Sequence, residues 1–212
     1  MKVVVYGAKG KSGSEIVKEL VARGHQVVAV TRKAGEEPAG VTSVLDDASN
    51  PGKIAEVVKG ADAVVSAIAP PADNTDVLIG LTDNLIEGVA LAGGKNGGPR
   101  LLVVGGAGSL FVAPGVTLHD SGYLPEPYLP ISASHIKVLG NLKKNQTIDW
   151  TYFSPAGFFE VGPRKGTFRI GKDDLIMGEN GKSEISYADY AIATVNELEN
   201  PQFRGQRFTA AY

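Results

Sequence analysis

"VVVYGAKGKSGSEI" runs from Val3 to Ile16. An apolar run stops at Gly7, glycines recur at Gly7, Gly10 and Gly13, and Ile16, Val17, Leu20 and Val21 then repeat at helical spacing. A short β-branched run ended by glycine reads as a buried strand, and the period after it reads as an amphipathic helix. Glycines at that junction let the backbone turn tightly and let an anionic ligand approach it. The helix start adds free N–H groups and the positive end of its dipole. The spacing is Gly-x-x-Gly-x-x-Gly rather than Gly-x-Gly-x-x-Gly, so the strand-turn-helix context carries the reading. Lys9, Lys11 and Ser12 stand among the glycines and join them as candidate phosphate contacts.

The alternation of strand and helix continues outward from there. Strands are expected at 2–6, 26–31, 41–45, 63–69, 100–104, 150–154 and 206–212, and helices at 12–23, 75–92, 132–144 and 186–199. A further helix is opened by Ser49-Asn50-Pro51 and closed by Gly60. Gly24 stands at a helix C′ position, and Ser186 to Asp189 resembles a capping box. Segment 93–99 reads as a glycine loop, 111–130 as a proline-rich loop or lid, and 164–185 as short strands and turns. This order predicts an α/β chain of Rossmann type: a doubly wound, mostly parallel sheet with helices on both faces. One domain is expected over 1–212, with 155–185 as a small extension on the substrate side.

Composition narrows the function. A net charge of −2 argues against a general nucleic-acid or membrane-surface role. There is no cysteine, which removes disulfides and thiolate chemistry, and His25, His119 and His135 show no metal-ligand spacing. No run approaches the ~18 apolar residues of a membrane span, and no signal peptide is evident. The expectation is a cytoplasmic monomer or homodimer acting on small molecules, with no metal.

In this architecture ligands bind beyond the carboxyl ends of the strands. An NAD site would place Asp or Glu about 20 residues after the glycine loop, on the ribose 2′-hydroxyl. Here the second strand ends Thr31-Arg32-Lys33. Two cations there fit a 2′-phosphate, so NADP(H) is expected over NAD(H). Glu36 and Glu37 lie further along than the acid would. Asp46 and Asp47, after the third strand, suit either an adenine border or a turn.

The segments "YGAKGKSG", "SAIAPP", "LLVVGGAGSL", "SHIKVLGNL", "WTYFSPAGFFEVGPRKGTFRIG" and "ISYADYAIATVNELE" resemble the atypical short-chain dehydrogenases grouped as NAD(P)H-flavin reductases. They are similar, more distantly, to flavin reductase/biliverdin-IXβ reductase and to NmrA-like proteins. The resemblance spans essentially the whole chain and implies a Rossmann fold with a nicotinamide cofactor. It implies phosphate contacts at Gly7, Gly10 and Gly13 and a basic residue at Arg32. Ser66, Ala67 and Ile68 would line the cofactor, as would Gly105 and Gly106 in the Gly105-to-Ser109 segment. Ser154, Pro155, Ala156 and Phe158 would border the nicotinamide, and His135 matches a histidine of the related flavin reductases. One departure matters. Ser134-His135-Ile136-Lys137-Val138-Leu139 lacks the Tyr-x-x-x-Lys pair of short-chain alcohol dehydrogenases.

Ketone reduction wants a positioned acid; flavin reduction can draw its proton from solvent. The expected activity is therefore hydride transfer to flavin (FMN, FAD or riboflavin, as substrate rather than prosthetic group) or to a quinone-like acceptor. Ser109 and His135 are the candidate polar handles. Phe158 and Phe159 read first as core and Tyr123 and Tyr128 as loop anchors, with stacking surfaces as the alternative for all four. A non-catalytic sensor of NADP(H), as in NmrA-like proteins, stays open; an epimerase is disfavoured by the missing tyrosine.

Overall fold

The computed structural model describes residues 1–33 and 38–212. Its framework is β1 (Lys2–Tyr6), α1 (Lys11–Ala22), β2 (Gln26–Thr31), β3 (Val41–Leu45), α2 (Pro51–Val58), β4 (Ala63–Ser66), α3 (Val77–Leu91) and β5 (Arg100–Val104). The hairpin β6 (Phe111–Ala113) and β7 (Val116–Thr117), α4 (Leu129–Lys144), β8 (Trp150–Ser154) and β9 (Phe158–Glu160) follow. β10 (Arg169–Gly171), β11 (Glu184–Ser186), α5 (Tyr187–Glu199) and β12 (Gln206–Ala211) complete it.

Eight strands form one sheet in the order β10-β12-β8-β5-β4-β1-β2-β3. All its pairs are parallel except β10 with β12. The expected doubly wound α/β fold is therefore present, with one antiparallel edge strand. Because strand side chains alternate, β1 sends Val3 and Val5 into one layer and Val4 and Tyr6 into the other. α1 and α5 cover the first layer; α2, α3 and α4 cover the second. Strand order reverses at β1, between β2 and β4, which is where such sheets open a ligand crevice.

Several boundaries differ from the sequence expectation. β4 stops at Ser66 rather than at 69, although the Ala67 N–H still bonds the Tyr6 carbonyl at 2.9 Å. α4 starts at Leu129, because Pro130 falls in its first turn, where a missing N–H costs nothing. Segment 111–130 is not plain loop: it holds the β6–β7 hairpin and a 3-10 turn at Glu126–Tyr128. Segment 93–99 likewise contains a 3-10 turn, Gly94–Asn96. The box at Ser186 is half made: its hydroxyl caps the Asp189 N–H at 3.1 Å. The buried Asp189 carboxylate turns instead to the N–H groups of Lys165 (2.9 Å) and Gly166 (2.8 Å) and to the Tyr212 hydroxyl (2.6 Å). It thereby fixes the chain that follows β9. Among the described residues no helix is long and apolar enough to cross a membrane.

Candidate functional site

The glycine loop joins β1 to α1 at the reversal point. Gly7 has φ +74°, and a Cβ there would overlap the Ala67 carbonyl oxygen. A Cβ on Gly13 would overlap the Gly7 carbonyl oxygen. Both glycines are required by the fold itself. Gly10 is different. Its φ is −72° and its ψ 172°, values open to any residue. A Cβ there would find only the Gly7 oxygen at 3.2 Å and the Ala67 oxygen at 3.8 Å. The fold presses on this exposed N-cap position far less than on Gly7 or Gly13, which leaves room for a ligand to account for the missing side chain.

The helix behind it is open at its start. α1 has no capping side chain and no acidic residue in its first turn. Its first backbone bond runs from Ser14 N–H to the Gly10 carbonyl, which leaves the N–H groups of Lys11, Ser12 and Gly13 ahead of the ladder. Those groups and the positive end of the dipole suit an anion. Lys9 and Lys11 are exposed beside it, and buried Ser66 and Ala67 with half-buried Ile68 form the opposite wall. Arg32 and Lys33, both exposed, end the neighbouring β2, with the turn held by the Thr31 hydroxyl on the Lys33 carbonyl (3.0 Å). Among the described residues Arg32 makes no ion pair. Glu36 and Glu37 lie outside the described residues.

Asp46 faces inward. Its carboxylate accepts from the Tyr6 hydroxyl (3.0 Å) and the Asp47 N–H (2.9 Å), with Lys53 at 3.5 Å. Burial first, then the Asp46 charge, holds the Tyr6 phenol well above its usual range. Asp47 is exposed, and its hydrogen bonds with Ser49 keep its carboxyl low. Of the two, only Asp47 projects to solvent at the ligand edge.

Across the crevice, β5 leads into Gly105 to Ser109, a loop pinned from below. The Gly106 N–H donates to the buried Tyr152 hydroxyl at 3.0 Å. A Cβ on Gly105 would overlap the Tyr152 ring, and one on Gly106 would meet the His135 ring at 3.0 Å. The Tyr152 hydroxyl lies 3.2 Å from both the Nδ1 and the carbonyl of His135. Burial pushes the His135 imidazole down to about 4 and the Tyr152 phenol up. At neutral pH both are uncharged. His135 is thus a wall behind Gly106 rather than a ready acid. Farther along, a Cβ on Gly108 would overlap Ser132 Oγ, which is paired with His119 Nδ1 at 2.9 Å. The half-buried Ser109 hydroxyl accepts from Arg207 at 2.9 Å.

Ser154 ends β8, Pro155 and Ala156 follow it, and all three are buried. Ser154 Oγ is enclosed and has no hydrogen-bond partner, alone in this among the described residues. A buried unpaired hydroxyl is costly, so it marks a place for an absent polar group. Phe158 stands apart on β9, 54% exposed, with Lys182 6.0 Å from its ring. Phe159 packs inward on Tyr187 and Tyr190. Tyr123 and Tyr128 are exposed.

The residues suit a dinucleotide: an uncapped helix start for phosphates, an exposed glycine beside it that the fold only lightly constrains, and an orphan hydroxyl at the far end. Glycine loop and helix start would hold the pyrophosphate, and the Gly105 and Ser154 segments would hold the nicotinamide. Tyr152, Ser132, His119 and Arg207 were not singled out from sequence. Of these only Arg207 carried a signal, a cation inside the apolar strand "QRFTAA". Among the described residues no cluster of His, Asp and Glu could hold a metal ion. A separate notch of about 310 Å³ between Lys143, Trp150 and Arg204 lies at the opposite ends of the strands.

Comparison with known proteins agrees with this geometry. The chain is 42% identical over 215 residues to the uncharacterized protein YwnB of Bacillus subtilis (strain 168), covering 99% of this chain and 97% of that one. It superposes with a TM-score of 0.90 and 43% identity on a provisionally named epimerase from Bacteroides thetaiotaomicron, covering 100% of this chain and 96% of that one. A provisionally named NADH-flavin reductase from Streptococcus pneumoniae matches with a TM-score of 0.89 and 30% identity over 100% of this chain and 99% of that one. The family model described as NAD(P)H-binding matches residues 7–201, and the chain belongs to that family.

Proposed function

We propose that this protein is an NADPH-dependent oxidoreductase that reduces a flavin or a quinone-like acceptor. The observation that carries the reading is the set of polar groups around the Gly105 loop. They are a neutral imidazole, a phenol held protonated by burial, and a serine hydroxyl. Burial moves the acidity of the imidazole and the phenol away from neutral pH, where a general acid for a ketone would work best. A conjugated acceptor takes the hydride and draws its proton from water. The bound dinucleotide would supply that hydride from its reduced nicotinamide. The chain's part is to orient the two rings and to exclude water between them. The name of the Streptococcus pneumoniae relative supports a flavin acceptor. Arg32 and Lys33 support NADPH over the NADH in that name.

A second reading, a non-catalytic sensor of dinucleotide occupancy, draws on the exposed aromatics Tyr123, Tyr128 and Phe158. One assay separates the two: oxidation of NADPH and NADH with riboflavin, FMN, quinones and aldehydes. Turnover with flavins or quinones is expected, fastest with NADPH. Turnover with aldehydes alone, or none at all, refutes the proposal.

A further inference from the structure

Arg207 is the best-buried cation near the ligand edge, its side chain only 3% exposed. It sits on β12 opposite Tyr152 of β8, on the same face of the sheet. Its Nε donates to Asp173 at 2.8 Å, and a second nitrogen reaches the same oxygen. Asp173 is itself fixed: its carbonyl accepts from the Phe111 N–H at 2.8 Å, two residues beyond Ser109. The remaining arm of the guanidinium donates to Ser109 Oγ at 2.9 Å.

The direction of that last bond is not ambiguous. A guanidinium has donors only, so the serine oxygen must accept. The hydroxyl proton is left over, and the described residues give it no acceptor. Ser109 is half-buried at the end of the Gly105 loop, so that proton is free to meet an incoming acceptor. A hydroxyl whose lone pair already faces a cation is also a stronger donor. Tyr152 performs the matching task at the other end of the loop, under Gly106.

We propose that Arg207 is a positioning residue that fixes Ser109 as a hydrogen-bond donor toward the electron acceptor. The site therefore selects acceptors with a carbonyl oxygen or an imine-type ring nitrogen next to the reducible atom. This inference rests on the oxidoreductase reading above. A purely structural Arg207 would merely tie the Asp173 turn to the sheet.

The test is a double-mutant cycle of Ser109→Ala and Arg207→Met, with Arg207→Lys as the conservative variant. Three quantities are measured: kcat/KM for the acceptor, the dissociation constant of riboflavin in the NADP⁺ complex, and that of NADP⁺ alone. Each single change should lower kcat/KM and riboflavin affinity about 10-fold, and the double variant should lose no more than either. Arg207→Lys should recover part of the loss, and NADP⁺ affinity should stay within about twofold of wild type. Thermal unfolding reports whether each variant folds; if Arg207→Met does not, the cycle is run with Arg207→Lys. Losses that multiply, or a parallel fall in NADP⁺ affinity, overturn the inference while leaving the oxidoreductase reading intact. A wild type that neither binds nor reduces any flavin or quinone overturns both.

Discussion

Substituting the three loop glycines one at a time should separate folding from binding. At Gly7, an L residue in the left-handed region costs ~1–2 kcal/mol, and overlap with the Ala67 carbonyl adds ~1–3 kcal/mol. For a chain of 212 residues, 1 kcal/mol moves the melting temperature about 2–4 °C. Gly7→Ala should therefore melt roughly 5–15 °C lower. Gly13→Ala carries only the overlap with Gly7, partly offset by the better helix propensity of alanine, and should fall less. Gly10→Ala meets the Gly7 carbonyl oxygen at 3.2 Å and gives up a favoured N-cap, ~1 kcal/mol, so it should fall by only about 2–4 °C. Binding reverses the order of interest. Gly10→Val fills the space a phosphate needs and removes at least two charge-assisted bonds, ~1.5–3 kcal/mol each. NADP⁺ affinity should drop more than about 100-fold with the circular dichroism spectrum unchanged. Scanning fluorimetry without ligand and calorimetry with NADP⁺ give the two readouts. Retained affinity in Gly10→Val, or a collapse of Gly10→Ala equal to that of Gly7→Ala, would refute the reasoning.

Arg32→Ala should weaken NADPH about 10- to 30-fold, the lower part of the range for a charged bond because the guanidinium is exposed and screened, and leave NADH unchanged; equal losses for both cofactors would refute the 2′-phosphate assignment. Ser154→Ala should raise the melting temperature of the unliganded protein by about 2–6 °C, since it removes an unpaired buried hydroxyl, and should weaken dinucleotide binding; a lower melting point would show the hydroxyl is satisfied. His135 is uncharged when folded down to about pH 4, whereas the unfolded chain takes up its proton near 6.5. Stability should thus fall as pH drops through that window, by at most ~3 kcal/mol, and the loss should be absent in His135→Gln. Melting curves from pH 7 to 4.5 that run parallel for wild type and variant would disprove the neutral imidazole.

Much of the first half was legible because its signals are local. Val3 to Tyr6, the three glycines and the Ile16–Leu20 stripe lie within one strand-turn-helix unit, and their meaning does not depend on distant partners. The same holds for Asn50, whose side chain caps Lys53 as its position suggests. Asp46 was ambiguous because its orientation is decided by Tyr6, far earlier in the chain. Tyr152 read as ordinary core within "WTYFS", yet its hydroxyl supports Gly106. Asp189 stood at a capping-box position, but two backbone N–H groups of a distant loop outcompeted its own helix start. Arg207 and Ser109 lie at opposite ends of the second half, and no periodicity links them. Pairings of this kind are set by strand order, which local pattern does not encode.

The place of β12 in the sheet also sets an order of assembly. β10 precedes β12 in the chain, yet among the described residues its only partner in the sheet is β12, which in turn docks on β8. During synthesis β10 must wait with its edge unpaired until β12 has emerged and seated. The strands beside the glycine loop, β1, β2 and β4, find one another within the first 66 residues. A nascent chain can therefore form the phosphate cradle before it can place Arg207 under Ser109. The half of the crevice in which we place the acceptor is the last to be completed.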